Sequence, residues 1–200
     1  MSMKGFIVWA GVAAAAAGLP AAPAAAGPIL VSGTMTATPD GPDFDYTITL
    51  TNSAASTDPI RTFWFAWMPG KDFMPTGPIS ETAPPGWTAT VTHFPDVPTN
   101  GFAVQFVTST APLMPGESLA FLFKSADSPD RLAGDSPFYP GTPVGTSFVY
   151  SGAPFQGDSA SFVVSSVPEP SSLAQGVVGV LASCAGWGVR RGRVRRRGAS

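Results

Sequence analysis

Two groups of side chains have the right chemistry for a binding site, and the first is acidic. Asp40, Asp43 and Asp45 lie around a predicted turn at Asp40-Gly41. Calcium takes about six to eight oxygen ligands, which three carboxylates and nearby carbonyls could supply, although the spacing fits no EF-hand loop. The alternative interpretation is a solvated hairpin loop. The sequence therefore predicts no cofactor, with calcium at these three aspartates as the alternative.

The second group is aromatic, in the run Phe63-Trp64-Phe65-Ala66-Trp67. Side chains alternate along a strand, so Phe63, Phe65 and Trp67 should point one way and Trp64 the other. The favoured interpretation is a central strand buried on both faces, because aromatic side chains dominate the cores of β-sandwiches. The alternative is a platform for sugar rings built from Trp64, Trp67 and Trp87.

Catalytic groups are scarce. The chain has one Cys and one His, which excludes an internal disulfide, cysteine zinc clusters and His-rich metal sites. Gly134-Asp135-Ser136 and Gly157-Asp158-Ser159 superficially resemble the nucleophile turns of serine hydrolases. A triad also needs a base, and only His93 is present, in no catalytic context. We predict that the protein is not an enzyme.

The elements that would position these groups are short strands. Eight runs alternate apolar and polar residues between Pro- and Gly-rich turns, which is typical of antiparallel strands. The runs are 29–38, 44–52, 60–67, 87–94, 102–109, 117–124, 144–150 and 160–166. They predict an all-β domain, an antiparallel two-sheet sandwich that is immunoglobulin-like or jelly-roll-like, over residues 27–167. Two long connections, 68–86 and 125–143, are the loops where a binding site is expected.

The N-terminus has the pattern of a secretory signal peptide over residues 1–26. Lys4 precedes an apolar, Ala-rich run, and Ala24 and Ala26 are the small residues at −3 and −1 before cleavage at Gly27. The alternative is an uncleaved membrane anchor. The pattern predicts signal peptidase as a partner and export of the domain that follows.

The C-terminus carries a second apolar run, residues 171–189, without a charged residue. As a helix it would be about 28 Å long, close to the thickness of a hydrocarbon core. Arginines follow it at once, and such arginines stay cytoplasmic, which predicts a single transmembrane helix with its tail inside. They are Arg190, Arg191, Arg193, Arg195, Arg196 and Arg197. An anionic-lipid or nucleic-acid patch is the competing interpretation of this cluster.

The net charge of −2 is the sum of regions with opposite charge. Residues 27–170 hold all 13 acidic residues and four basic ones, so this stretch carries −9. An acidic domain repels phosphate backbones, and we therefore predict that the exported part does not bind nucleic acid.

Pro168-Glu169-Pro170 stands directly before the apolar run. The triplet, the span and the terminal arginines together resemble the PEP-CTERM sorting signal, over residues 168–200. The resemblance implies that Pro168, Glu169 and Pro170 are recognised by exosortase, an integral-membrane transpeptidase that removes the signal. It further implies a bacterial cell with an outer membrane, and delivery of a membrane-tethered precursor to the cell surface or the exopolysaccharide matrix.

Three functions follow from these features. The first is a structural or adhesive protein of the cell surface or extracellular matrix, sorted and processed by exosortase. The second is a carbohydrate-binding module that works in an exopolysaccharide matrix through its tryptophans. The third is a surface hydrolase, which the missing catalytic groups disfavour.

Overall fold

The segments in which apolar and polar residues alternate form β-strands throughout the domain. The computed structural model describes residues 28–93 and 101–167. The predicted signal peptide, its cleavage site and the sorting signal at 168–200 lie outside the described residues. The strands are β1 (Val31–Asp40), β2 (Asp43–Asn52), β3 (Thr62–Phe65), β4 (Trp67–Met68), β5 (Lys71–Asp72), β6 (Ser80–Thr82), β7 (Trp87–His93), β8 (Phe102–Thr108), β9 (Ser118–Ser125), β10 (Thr146–Tyr150) and β11 (Ser159–Ser166).

Strand β2 shows why these segments fold as they do. Tyr46, Ile48 and Leu50 are buried, whereas Asp45 and Thr49, on the other face of the strand, are exposed. A strand with this period places one row of side chains in a core and the other in water. The eight runs found in the sequence all contain strands, and the prediction of a mostly β domain is confirmed.

Nine strands form one mixed sheet in the order β6-β9-β2-β1-β11-β10-β3-β8-β7, and β4 pairs separately with β5. The prediction of a purely antiparallel arrangement is wrong at one place, because β1 and β11 pair in parallel, with Gly33 opposite Val164. Strand β11 pairs with two different strands along its length. Its residues 159–163 pair with β10, and its residues 164–166 pair with β1.

The two edge strands of the sheet, β6 and β7, are joined by residues 83–86 alone and contact each other. The sheet therefore curls round into a nearly closed, barrel-like fold. Aromatic rings fill its interior: Phe121 of β9 lies 5.2 Å from Phe63 of β3 and 4.8 Å from Phe106 of β8, measured between ring centroids. Such ring pairs contribute about 0.5–1.5 kcal/mol each beyond the area that they bury.

The two long connections meet at one end of the fold. The first holds β4, β5 and β6, and the second holds a short helix, α1 (Pro129–Ala133), which begins after the N-cap Ser128. Ser136 Oγ donates to the carbonyl of Phe73 at 3.0 Å, and the ring of Tyr139 contacts that of Phe73 edge-on at 5.4 Å. Among residues 28–93 and 101–167, no helix is both long and apolar enough to cross a membrane.

Candidate functional site

Strand β3 has aromatic side chains on both faces, and all four of its residues are buried. Phe63 and Phe65 belong to the core, and Trp64 points to the opposite, outer face. The chain then departs from strand geometry at Ala66, whose φ is +57°. This turn carries Trp67 to the outer face, where its indole stacks on that of Trp64 with centroids 4.3 Å apart and planes 20° apart. The prediction that Trp67 shares the face of Phe63 and Phe65 is therefore wrong.

Three more rings complete a group on this face, which we call the outer aromatic cluster. Phe148 contacts Trp67 edge-on at 5.8 Å, and Tyr150 lies 5.2 Å from Phe148. Phe155 contacts Trp67 at 5.8 Å, Tyr150 at 5.9 Å and Trp64 at 6.2 Å. Its five members are Trp64, Trp67, Phe148, Tyr150 and Phe155.

Phe155 differs from the other members because 66% of it is exposed, whereas Trp64 and Trp67 are 5% and 1% exposed. It lies in the loop 151–158 between β10 and β11, with a φ of +66°. Non-glycine residues rarely adopt this conformation, and such residues gather at functional sites. Phe155 thus lies as an exposed ring over two buried indoles.

The indole nitrogens of Trp64 and Trp67 are buried and have no hydrogen-bond partner among the described residues. Buried donors are nearly always satisfied in folded proteins, so each exception needs an explanation. Trp87 also has an unpartnered indole nitrogen, but its ring lies in the core against Phe121, at 5.1 Å. The structure therefore brings Trp64 and Trp67 together and leaves Trp87 apart from them.

The acidic group lies at the β1–β2 hairpin. Asp40 forms an ion pair with Lys124 of β9, and hydrogen bonding to Asp40 raises the pKa of the lysine ammonium. Asp43 is directly opposite Asp40 in the strand register, and Asp45 is opposite Lys124. The described part of the chain holds no group of three or more His, Cys, Asp or Glu residues arranged for a metal. Calcium at Asp40, Asp43 and Asp45 stays the alternative to the predicted absence of a cofactor, and neither is tested by this geometry.

Asp72 is a titratable group that the sequence analysis missed. It is fully buried in β5, and burial raises its carboxyl pKa from 3.8 to about 6, partly opposed by the charge of His93. The His93 ring stacks on Phe102 at 4.3 Å, and its Nδ1 lies 2.8 Å from the carbonyl oxygen of Gly101. Strand β5 has only two residues and lies in the connection 68–86, which shows no alternation, so no pattern in the sequence marked Asp72 as buried.

The serines of the two Gly-Asp-Ser sequences occupy ordinary structural positions. Ser136 is buried, and its hydroxyl donates to the backbone carbonyl of Phe73. Ser159 is the exposed first residue of β11. A cavity of about 620 Å³ near Leu30, Asn52 and Ser161 has no charged, aromatic or His residue in its lining.

Comparison with known proteins adds little. No protein-family model matches the chain, and no curated protein matches it. Among solved structures it is similar to an inactive mutant of the GH20 exo-β-N-acetylglucosaminidase from Vibrio harveyi, with a TM-score of 0.39 and 12% identity. The alignment covers 69% of this chain and 18% of that enzyme, so the chain spans less than a fifth of the enzyme's length. A likeness of this extent shows neither a shared fold nor a shared activity.

Proposed function

We propose that the chain is an exported, non-catalytic protein that exosortase processes and delivers to the cell surface or extracellular matrix. The observation that carries this proposal is the order of features along the sequence: a signal peptide, a β domain, Pro168-Glu169-Pro170, an apolar run and terminal arginines. The mature β domain would have a structural or adhesive role. Signal peptidase and exosortase are its proposed processing partners, and the membrane holds the precursor through the 171–189 helix.

Mass spectrometry of both termini tests the proposal, on protein recovered from surface and medium fractions. We expect a mature chain that begins at Gly27 and ends near Pro168. A variant with alanine at Pro168, Glu169 and Pro170 should keep the Arg tail, whereas Glu81→Ala, which changes another acidic residue, should be processed normally. Wild-type surface protein that retains its Arg tail would contradict sorting by exosortase.

We further propose that the architecture is a sandwich of the kind found in immunoglobulin-like or jelly-roll-like domains. Its layers would be β6-β9-β2-β1 and β10-β3-β8-β7, joined along one side by β11. Support comes from rings that meet across the interior, such as Phe65 of β3 and Phe123 of β9, with centroids 5.2 Å apart. An experimental structure would test this arrangement, and a barrel hydrogen-bonded between β6 and β7 would overturn it.

A second candidate function is the binding of exopolysaccharide. The outer aromatic cluster favours it, because sugar rings stack their apolar faces on aromatic side chains. Binding to a glycan array tests this function, and an array without a hit for the full chain would contradict it. Processing of the termini would be unaffected by that result, so the two functions can fail separately.

A further inference from the structure

The residues with a strained backbone in this domain lie beside the outer aromatic cluster. Among the described residues, only Ala66 and Phe155 combine a side chain with a positive φ, of +57° and +66°. Ala66 turns Trp67 onto Trp64, and Phe155 rests against both indoles. Strained residues cost free energy and persist where the surrounding structure maintains them, commonly at ligand sites. Both strained residues therefore shape the outer aromatic cluster.

The loop that carries Phe155 is held at its base. Thr62 Oγ1 donates to the Gly152 carbonyl at 2.8 Å, and Ser151 N–H donates to the Asp158 carbonyl at 2.8 Å. Inside the loop, Gln156 N–H donates to the Ala153 carbonyl at 2.9 Å. The Phe155 ring contacts the rings of Trp64, Trp67 and Tyr150. Because 66% of Phe155 is exposed, a rotation of its side chain would move the ring off the indoles and leave the hydrogen bonds at the base of the loop intact.

The row of residues on either side of Trp64 in the sheet consists of neutral groups, whereas Asp72 is opposite Trp67 in the β4–β5 pair. In the strand register, Trp64 is opposite Gln105 on one side and Phe148 on the other, and Gln105 is opposite Thr90. Beyond Phe148 the row continues to Ser161. This row of the outer face contains amide and hydroxyl groups but no charged residue. Its chemistry suits an uncharged ligand that carries hydroxyl groups.

The buried indole N–H groups place a second requirement on the ligand. Trp64 and Trp67 each have a donor without an acceptor among the described residues, so the ligand should bring acceptor oxygens as well as an apolar face. A neutral pyranose ring has both. We propose that the outer aromatic cluster binds neutral glycans, with Trp64 and Trp67 as stacking surfaces and N–H donors and with Phe155 as a displaceable cap. This proposal rests on the second candidate function and specifies its site and ligand class.

Isothermal titration of the full chain in detergent micelles tests the proposal with three neutral probes, cellohexaose, mannohexaose and chitohexaose. We expect at least one to bind. Phe155→Ala should lower its Kd by about three- to tenfold, because ring contacts no longer have to be broken before the sugar enters. Trp64→Phe and Trp67→Phe keep an aromatic ring but lose the donor, and each should raise the Kd by about three- to tenfold.

Trp87→Phe is the matched control, because it removes an equally unpartnered N–H from the core and should leave the Kd unchanged. The proposal is overturned if no hexaose binds either the wild type or Phe155→Ala. It is also overturned if Trp64→Phe and Trp87→Phe change the Kd equally. Decaproline serves as a fourth probe, and binding of decaproline but of none of the hexaoses would overturn the proposal as well. Glycan binding that none of these variants alters would reject this site and leave the second candidate function standing. An unchanged Kd in Phe155→Ala would reject the cap.

Discussion

The phenol of Tyr46 donates a hydrogen bond of 2.6 Å to the backbone carbonyl of Asp127, a residue 81 positions further along the chain. The carboxylate of Asp127 in turn accepts hydrogen bonds from the backbone N–H and the hydroxyl of Thr76, at 3.1 and 3.0 Å. Arg131 Nε lies 3.2 Å from the same carboxylate. One buried aspartate thus attaches both long connections to the inner face of β2.

We expect Asp127→Ala to lower the free energy of unfolding by about 2–4 kcal/mol, because it removes the buried carboxylate that accepts two part-buried hydrogen bonds from Thr76. Chemical denaturation measures the change. Asp130→Ala is the matched control, since Asp130 is exposed in the neighbouring helix and should have an effect below about 0.5 kcal/mol. Equal losses in the two variants would show that Asp127 does not join the loops.

Stability should fall as the pH rises through the titration of Asp72. Its folded pKa of about 6 exceeds the ordinary 3.8, so the folded state binds a proton that the unfolded state has released between these values. The stabilisation is complete below about pH 4 and is lost by about pH 6, and amounts to about 2–3 kcal/mol. Asp72→Asn should remove this dependence in denaturation curves from pH 4 to pH 7. A control, Asp130→Asn, should leave it in place, and a wild type without the decline would refute the prediction.

Ala66→Val should damage both the fold and the outer aromatic cluster. A β-branched residue resists positive φ, and position 66 is fully buried, so we expect a loss of about 2–4 kcal/mol in unfolding free energy. Circular dichroism measures whether Trp64 and Trp67 remain stacked, because stacked indoles give an exciton couplet in the far ultraviolet. Ala66→Gly accepts the same φ and should keep the couplet. A couplet that survives in Trp64→Phe would mean that it arises from other rings.

Gly145→Ala should be costly, because a Cβ at this position would lie 2.5 Å from the carbonyl oxygen of Val164. The backbone of β11 would have to move where Val164 N–H donates to the Gly145 carbonyl at 2.9 Å. We expect a loss of about 1–3 kcal/mol, measured by thermal and chemical unfolding. Gly134→Ala, whose nearest neighbour would be 3.3 Å away, should cost less, and the reverse order would contradict this geometry.

Removal of divalent cations tests calcium at the β1–β2 hairpin. We expect EDTA to leave Tm unchanged, because Lys124 already balances the charge of Asp40. Added calcium should likewise have no effect on Tm. A rise in Tm with calcium that Asp43→Asn abolishes would instead establish a site at these aspartates.

The short strands β4, β5 and β6 were not predicted as such, but period-two alternation was sufficient to predict the other eight strands of this domain. It tells which residues face inward, as in Tyr46, Ile48 and Leu50, because the side-chain period of a strand is set by its backbone. The turn at Gly41 was also predictable, and this glycine has the positive φ that such turns require. Alternation does not determine which strands pair with each other. The parallel pairing of β1 with β11 therefore could not be predicted from the sequence.

The candidate site was predicted only in part, for a local reason. Trp64 and Trp67 were recognised from their residue type, but their contact depends on one backbone angle at Ala66. Alanine gives no sign of a positive φ, whereas glycine or asparagine at that position would have suggested a turn. Phe155 was missed because its loop has no alternation. Its role depends on the position of the loop over β3, which arises only from the tertiary fold.

The parallel pairing of β1 with β11 has a mechanical consequence. The chain enters this strand pair near residue 28 and leaves it at the other end, where Val167 N–H donates to the Met35 carbonyl at 2.8 Å. Tension applied between the two ends of the domain would act along both strands and load their hydrogen bonds in shear. Bonds loaded in this way must yield together, whereas bonds at the end of a hairpin can unzip one at a time. The fold therefore places its force-bearing contacts at the segments through which a surface tether would pull.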